Sequence, residues 1–271
     1  MMQAVPYWHV DAFANRPFAG NQAAVMLLEA WPDDAVLQAV GAENNFAETA
    51  FVVRDASGQA DWELRWFTPT SEVALCGHAT LASGHVLLEE HGGERVTFRT
   101  RRSGLLEVRR DGDGYALDLP VTRVARRDDP ALLAALGCDG EVFHSVSGAE
   151  ATAIVLLPDE AAVRAADPDM RMLGGIDLMA ICTAPGSMAS GAHDVVSRVF
   201  VPAWGVDEDS VTGSAHAALT PFWCERLGRS HFTAHQASVR GGDLTCQLEG
   251  ERAWIGGSCV TVVEGRFYLA G

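Results

Sequence analysis

The sequence predicts an α+β fold organised as two similar domains. Short runs in which apolar and polar residues alternate are typical of half-buried strands, and two Ala-rich runs that each follow a glycine are typical of helices. A strand, a loop and a helix recur in the second half of the chain, which indicates an internal repeat. The length of 271 residues is also sufficient for two hydrophobic cores of modest size.

Strands are marked most clearly by two alternating segments of the first half. In WELRWF (62–67) and YALDLP (115–120), apolar residues recur at every second position between polar or smaller neighbours. A charged stretch follows the second segment, so we expect the domain boundary near Pro120–Val121. This boundary places the first domain at 1–119 and the second at 120–271, with the last strand of the chain free to return to the first domain.

Helices are predicted at about 78–90 (HATLASGHVLLEE) and 214–227 (SAHAALTPFWCERL), because each run is apolar, rich in Ala and followed by a turn that contains Gly. Pro221 inside the second run predicts a kink, since proline has no backbone N–H and its ring clashes with the preceding turn. The charged segment 121–137 is also helix-like.

The internal repeat covers a strand and the start of the following helix. Residues 65–69 (RWFTP) match residues 198–202 (RVFVP), and an acidic residue follows each match. In both copies a Glu lies five residues before the glycine that begins the helix: Glu72 before Gly77, and Glu208 before Gly213. One short match can arise by chance, but the shared spacing favours two domains of one fold. Such chains tend to bind their ligand in the crevice between the domains.

The composition excludes several classes of partner. The chain has 36 acidic and 20 basic residues, a formal net charge of -16, which repels nucleic-acid phosphates and anionic membranes. No apolar run approaches the roughly 18 residues of a membrane-spanning helix. Six cysteines without a C-x-x-C pair, and a first segment without a basic start or an apolar signal core, predict a soluble protein of the reducing cytoplasm.

The two helix starts, Gly77–His78 and Gly213–Ser214, are candidate anion sites. The first amides of a helix lack partners and the helix dipole is positive there, so a carboxylate binds favourably. A simpler interpretation is that each glycine only makes a tight turn between a strand and a helix. The occurrence of both at matching positions of the repeat favours a shared role in binding an acidic small molecule.

Three further side chains are candidates for proton transfer. Glu48 lies among Phe, Ala and Thr residues, where desolvation would favour its protonated form; a surface glutamate is the simpler interpretation. His78 begins a helix whose dipole disfavours the imidazolium, so we expect a neutral ring, or merely a capping or core histidine. Asp209 precedes the second helix start, where it either approaches the substrate or orders the turn.

The sequence predicts neither a metal nor an organic cofactor. His78 and His85 lie about two helical turns apart, roughly 10 Å along the axis, which is too far to share an ion. His231 and His235 are four residues apart, but their segment is typical of a loop and a strand, and no acidic third ligand is evident. The chain has no dinucleotide-binding glycine motif, Walker motif or G-x-S-x-G elbow.

Four blocks of the sequence resemble one known family. They are VDAFANRPFAGNQAAVMLL, ENNFAETAFVV, RWFTPTSEVALCGHATLASGHVLL and RVFVPAWGVDEDSVTGSAHAALTPFW. Together they resemble the PhzF-like phenazine-biosynthesis isomerases, which are related to diaminopimelate epimerase. The resemblance starts at Val10 and continues almost to the end of the chain, and the order of ETAF, CGHAT and VTGSAH is specific.

The resemblance implies two pseudo-symmetric domains, each a barrel-like, mostly antiparallel sheet around a central helix, with the active site in the cleft between them. It implies a homodimeric, cofactor-independent isomerase; the best-understood member moves a proton on a dihydro-hydroxyanthranilate. The residues that match the family's catalytic positions are Glu48, His78, Asp209 and Ser214. We further predict that Asn21, Gly77, Thr212 and Gly213, at or near the two helix starts and in the first family block, bind the substrate.

Two departures from the family pattern leave these residues intact. Gln22 stands where Pro is common after Gly-Asn, and Ser210 replaces the Pro of the E-D-P-V-T-G pattern. The resemblance therefore predicts the reaction class, a proton transfer on a small carboxylate, but not the compound.

Two other functions remain open from the sequence. An amino-acid racemase or epimerase with one thiol on each side of a carbon would use Cys76 at the first helix start, but the matching position is Thr212, a poor proton acceptor. The second alternative is a protein that keeps the fold only to bind a small molecule or another protein. The presence of all four catalytic candidates favours an enzyme over such a scaffold.

Overall fold

The computed structural model describes residues 3–148, 150–187 and 193–269. By its internal contacts the chain divides into two units, one of Met1–Asp118 with Gly256–Gly271 and one of Leu119–Ile255. The C-terminal strand therefore belongs to the first unit. Within the described residues, no helix is long and apolar enough to cross a membrane.

The first part of the chain alternates strands with two helices. These elements are β1 (Gln3–Ala12), β2 (Asn21–Leu28), α1 (Asp34–Asn44), β3 (Glu48–Arg54), β4 (Trp62–Phe67), β5 (Glu72–Val73), α2 (Gly77–His91), β6 (Arg95–Thr100), β7 (Leu105–Asp111) and β8 (Gly114–Pro120).

The remainder of the chain has a similar succession of elements and also contains a 3-10 turn at Pro202–Trp204. Its elements are β9 (Val124–Arg126), α3 (Pro130–Leu136), β10 (Glu141–Ser145), β11 (Thr152–Leu156), α4 (Glu160–Ala165), α5 (Met170–Leu173), β12 (Met179–Pro185), β13 (Val195–Val201), β14 (Val206–Asp209), α6 (Gly213–Leu227), β15 (His231–Gln236), β16 (Gly242–Glu249), β17 (Arg252–Gly257) and β18 (Cys259–Leu269).

The first unit is a mostly antiparallel sheet around a central helix. β1 is antiparallel to both β18 and β2, β3 lies parallel to β2 and antiparallel to β4, and β6 lies parallel to β4. β7 and β8 follow in antiparallel pairs, and the short β5 forms a hairpin with β4. The helix α2 packs against β1, β2, β3, β6, β7 and β18, so the sheet wraps around it.

The second unit has the same topology. β10 and β11 are antiparallel, β11 and β12 parallel, β12 and β13 antiparallel, and β13 forms the hairpin with β14. β15 lies parallel to β13 and antiparallel to β16, as β6 does to β4 and β7. The helix α6 has the place of α2 in the chain order and packs against β15 and β16. The predicted fold class, α+β with two domains of barrel-like sheet and a central helix, is confirmed.

The R-x-F-x-P repeat forms the same ion pair in each unit. Arg65 in β4 donates from Nε and Nη2 to the two carboxylate oxygens of Glu72 in β5, at 2.8 Å each. Arg198 in β13 pairs in the same way with Glu208 in β14, at 2.7 and 2.9 Å. Each bidentate pair fixes the hairpin that leads into the helix start. The acidic residue of the repeat is therefore the partner of its arginine.

Both helices predicted from Ala-rich runs are present as α2 and α6, and each begins at its glycine. The helix α6 continues through Pro221 to Leu227. In α2, every residue from Gly77 to Gly84 is buried. A Cβ atom at Gly84 would lie 2.4 Å from Cγ1 of Val108 in β7, so this close contact requires glycine. The sheet around the helix explains why the run has no polar face.

The helix-like interpretation of 121–137 is correct only for its last part. Val124–Arg126 forms β9, which pairs with β10, and α3 begins at Pro130. Proline fits the first helical turn, where its missing N–H is not needed, but it disfavours helical backbone in the residue before it. The Asp129 side chain accepts a hydrogen bond from the Leu132 amide at 3.0 Å and caps this start.

We expect the substitution Arg65→Met to destabilise the protein by about 3 kcal/mol. The Arg65 side chain is only 2% exposed, and its loss leaves the partly buried Glu72 carboxylate without its bidentate partner. The measurement is the free energy of unfolding in urea at neutral pH. The matched control is Arg95→Met, because Arg95 is 69% exposed and pairs with Glu107 at 3.3 Å; its effect should stay below about 0.5 kcal/mol. Equal losses in the two variants would contradict a structural role for the repeated ion pair.

Candidate active site

Glu48 is the first residue of β3, and the preceding turn fixes its place. Asn45 ends α1 in the left-handed region at a φ of 51°. The next residue, Phe46, stacks on His9 of β1 with ring centroids 4.3 Å apart. The chain therefore leaves α1 in a turn that is anchored on β1, and Glu48 enters the sheet beside Ala23 of β2.

Glu48 faces His78 at the start of α2. Its Oε2 atom lies 3.1 Å from Nε2 of His78, which is an ion-pair distance. The angle of this contact does not meet hydrogen-bond geometry, so the buried oxygen has no hydrogen-bond partner among the described residues. The side chain as a whole is 18% exposed, so part of it remains accessible. Such a carboxylate is suited to exchange a proton with a ligand.

Asn21, the first residue of β2, contacts the other ring nitrogen of His78, with 3.1 Å between Nδ2 and Nδ1. In this orientation the amide donates to Nδ1, and the ring carries its proton on Nε2, towards Glu48. With the amide turned over, Oδ1 accepts from Nδ1–H and the ring can carry both protons. Asn21, a predicted substrate-binding residue, thus also supports His78 in either charge state.

The neighbours of His78 oppose the effect of the helix dipole on its ring, and the neutral ring stays a prediction. Burial lowers the pKa of His78, but the adjacent Cys76 sulfur and Glu48 carboxylate outweigh burial and raise the pKa well above 6.5. The helix dipole amounts to about half a charge spread over the first turn, whereas Glu48 places a full negative charge 3.1 Å away. The upward direction of this pKa shift favours the protonated ring beside Glu48.

Cys76, the N-cap residue of α2, is the third member of this cluster. Its Sγ atom lies 3.6 Å from Nδ1 and 3.9 Å from Nε2 of His78. Burial, and then the charge of Glu48, raises the pKa of the thiol to about 12, so the sulfur is neutral and unsuited to act as a base. The ligand atoms of Glu48, Cys76 and His78 lie within 4.8 Å of one another, which is close enough for one metal ion. That this site works without a metal ion stays a prediction.

The second unit places Asp209 and Thr212 in the turn before α6. Thr212 donates from Oγ1 to Oδ2 of Asp209 at 2.6 Å. It is the N-cap residue of α6, as Cys76 is of α2, and neither side chain forms a capping hydrogen bond. Gly213 and the partly exposed Ser214 begin the helix. The predicted site residues thus form two groups, Asn21, Glu48, Gly77 and His78 in the first unit and Asp209, Thr212, Gly213 and Ser214 in the second.

Gln236 of β15 fixes the turn of the second unit. Its Oε1 atom accepts from the Thr212 amide at 2.9 Å, and Nε2 donates to the Asp209 carbonyl at 2.8 Å and to Thr212 Oγ1 at 3.2 Å. The side chain is fully buried. Sequence reasoning misses this residue because it lies 24 positions beyond Thr212 and belongs to no recognised motif. A polar residue at the end of an otherwise half-buried strand is its only signal.

Side chains one turn into each helix bind the carbonyl of the N-cap residue. Thr80 donates from Oγ1 to the Cys76 carbonyl at 2.5 Å, and His216 donates from Nδ1 to the Thr212 carbonyl at 2.8 Å. Complete burial lowers the pKa of His216 to about 4, so the ring is neutral at physiological pH. Both units therefore contain a hydrogen bond to the carbonyl of the N-cap residue. A threonine makes this bond in the first unit and a histidine makes it in the second.

Known proteins share this fold over the whole chain. A protein of Pseudomonas aeruginosa named as an uncharacterized isomerase is 47% identical over 268 residues, 97% of this chain and 98% of the relative. The crystal structure of a PhzF-family phenazine biosynthesis protein from Enterococcus faecalis has a TM-score of 0.88 at 40% identity, covering 98% of this chain and 100% of that one. A hydroxyproline epimerase from Agrobacterium vitis, at 15% identity and a TM-score of 0.63, covers 99% of this chain and 93% of that one and shares the fold.

These similarities define the class of protein, an isomerase built from two units of one topology. The model of the phenazine biosynthesis-like (PhzC-PhzF) family matches residues 10–265. The chain belongs to this family. The resemblance that the ETAF, CGHAT and VTGSAH blocks indicate is confirmed.

Proposed function

We propose that the protein is a cofactor-independent isomerase that transfers a proton on a small carboxylate substrate, with Glu48 as acid and base. The observation that carries the proposal is the cluster at the start of α2. A buried Glu48 oxygen, which has no hydrogen-bond partner among the described residues, lies 3.1 Å from His78, whose pKa is raised. His78 forms an ion pair with this oxygen but no hydrogen bond, so a ligand hydrogen can approach the oxygen from another direction.

The proposed step needs no oxidant or reductant. Glu48, as a carboxylate, removes a proton from a substrate carbon, and the electron pair left behind shifts along the adjacent double bond. Glu48, now a carboxylic acid, returns the proton to the far carbon, so the product is an isomer with every atom retained. His78 remains protonated and stabilises the carboxylate before removal and after return. Epimerisation would need a second acid on the opposite face, and Thr212, the counterpart of Cys76, is a poor one.

Backbone amides at the helix starts hold the substrate carboxylate in this proposal. With a net charge of -16, the protein must bind an anion through local donors. Ser214 adds a hydroxyl group at the second helix start, in a turn that the hydrogen bonds among Asp209, Thr212 and Gln236 fix. That the two helix starts bind one substrate is a prediction, supported by the shared topology and by the matching extended conformation of the two N-cap residues. The homodimer and the cytoplasmic location are likewise predictions.

Exchange of substrate hydrogen with deuterated water tests the proposal. A panel of cyclic amino and hydroxy acids that carry a carboxylate is incubated with the protein and analysed by mass spectrometry and proton NMR. We expect at least one compound to isomerise with deuterium at the receiving carbon, because the protonated Glu48 exchanges with solvent before it returns its proton. Heat-inactivated protein is the control. Compounds that raise the melting temperature without any isomerisation or exchange would favour a binding protein instead.

A further inference from the structure

A second cluster of potential metal ligands lies in the second unit and includes none of the candidate catalytic residues. The ligand atoms of His193, His235 and Asp243 lie within 4.8 Å of one another. His235 Nδ1 is 2.7 Å and His193 Nε2 is 3.4 Å from the same oxygen, Oδ1 of Asp243. We propose that these three side chains bind a divalent first-row transition metal ion of the zinc type.

The sheet register brings two of the ligands together. His235 of β15 lies directly opposite Asp243 of β16 in an antiparallel pair. Side chains at such positions begin about 5 Å apart and project from the same face of the sheet. His231, the histidine that sequence spacing pairs with His235, lies four strand residues away, or roughly 13 Å. Asp243 of the neighbouring strand therefore supplies the acidic ligand that the sequence does not reveal. The second histidine of the cluster is His193, and not His231.

The backbone at His193 is held in place by its neighbours. Asp194 accepts hydrogen bonds from the Thr233 amide at 2.8 Å and the Thr233 hydroxyl at 3.0 Å, and it pairs with Arg229. Gly186 donates its N–H to the Asp194 carbonyl at 2.8 Å. A Cβ atom at Gly186 would lie 2.1 Å from the His193 carbonyl oxygen, so the absence of a side chain lets these two segments pack. The backbone that carries His193 is therefore held beside β15, and binding an ion requires the two imidazole rings, which are now stacked with centroids 5.1 Å apart, to turn towards a common point.

The donor set selects the class of ion. Two imidazole nitrogens and one carboxylate oxygen suit zinc, cobalt, nickel or iron, whereas calcium and magnesium prefer oxygen ligands alone. Metal–ligand bonds of about 2.1 Å require donor atoms about 3.0–3.4 Å apart, close to the distances around Asp243 Oδ1. Nδ1 of His235 is hydrogen-bonded to the Asp243 carboxylate at 2.7 Å, and a bound ion would take the place of the proton they share. All three side chains are partly exposed, which leaves room for water ligands.

The cluster of Glu48, Cys76 and His78 is a poorer metal site, although its atoms are equally close. Its thiol has a pKa of about 12 and its imidazole a raised pKa, so an ion would have to displace protons from two fully buried groups. At the cluster of His193, His235 and Asp243 the carboxylate is already ionised and the ligands are accessible. Zinc should therefore prefer the second unit.

Equilibrium dialysis of the whole protein against micromolar zinc at neutral pH, with bound zinc measured by mass spectrometry, tests this inference. We expect one bound zinc ion per chain and an affinity at least roughly tenfold lower in each of His193→Ala and His235→Ala. Asp243→Asn keeps the shape of the side chain, removes its charge, and should weaken binding as well. Circular dichroism establishes that each variant is folded.

Two matched variants locate the ion. His231→Ala removes an exposed histidine of the same strand, and Cys76→Ser removes the sulfur of the other cluster; both should bind zinc with the affinity of the wild type. An anomalous signal between His193, His235 and Asp243 in zinc-soaked crystals would support the site directly. Absence of zinc binding in the wild type, undiminished binding in the three ligand variants, or loss of binding in Cys76→Ser or His231→Ala would overturn it.

Discussion

Glu48→Gln is expected to reduce kcat on a verified substrate by about 10²–10⁴-fold or more, with ligand binding retained. Glutamine keeps the length and shape of the side chain and one oxygen acceptor, but it cannot take up a proton and return it. The nearby imidazole of His78 keeps its position at the start of α2, so the site stays formed while the chemical step is lost. Steady-state kinetics and a ligand titration with the same compound separate the two effects.

The same variant has a second readout that does not depend on turnover. The charge of Glu48 is one of the causes that raise the pKa of His78, so this pKa should fall in Glu48→Gln, as followed by NMR titration of the ring protons. The matched control is Glu43→Gln, which removes an exposed carboxylate of α1 and should change neither the His78 titration nor kcat. A Glu48→Gln enzyme that turns over at close to the wild-type rate would show that another group is the acid and base.

The order of elements could be predicted where local patterns determine structure. Alternation in WELRWF and YALDLP marks β4 and β8, and the Ala-rich runs mark α2 and α6 to within one residue of their starts at Gly77 and Gly213. The R-x-F-x-P repeat indicates two units of one topology, which the matching strand pairings bear out. The charged segment before Pro130 could not be assigned correctly, because pairing of β9 with β10 outweighs its local helical character.

The candidate site could be predicted only where its residues lie in sequence motifs. Glu48, His78, Asp209 and Ser214 follow from the family blocks, and their catalytic roles stay predictions. The upward shift of the His78 pKa could not be inferred, because the carboxylate 3.1 Å away lies on a strand that is distant in sequence. Gln236 and the pairing of His235 with Asp243 likewise depend on which strands are neighbours, and a single sequence does not contain that register.

Acid is expected to remove about 3 kcal/mol of stability through His216 alone. Burial lowers its pKa from 6.5 to about 4 in the folded protein, whereas the unfolded chain keeps the higher value. Between these two values the unfolded state binds the proton and the folded state does not. The contribution of His216 is therefore fully present above about pH 6.5 and is lost as the pH falls through about 4. Urea unfolding at a series of pH values measures it.

A variant that cannot titrate isolates this contribution from the other acidic groups. His216→Gln keeps a side-chain amide that can donate to the Thr212 carbonyl, the bond that His216 Nδ1 makes at 2.8 Å. The stability difference between wild type and variant should shrink by about 3 kcal/mol from neutral pH to pH 4, whereas the difference for the exposed His231→Gln should stay constant. Protonation adds a hydrogen and a positive charge at Nε2, on the side of Ser197, and leaves the bond from Nδ1 to the Thr212 carbonyl intact. Parallel stability curves for wild type and His216→Gln would mean that this histidine does not resist protonation in the folded protein.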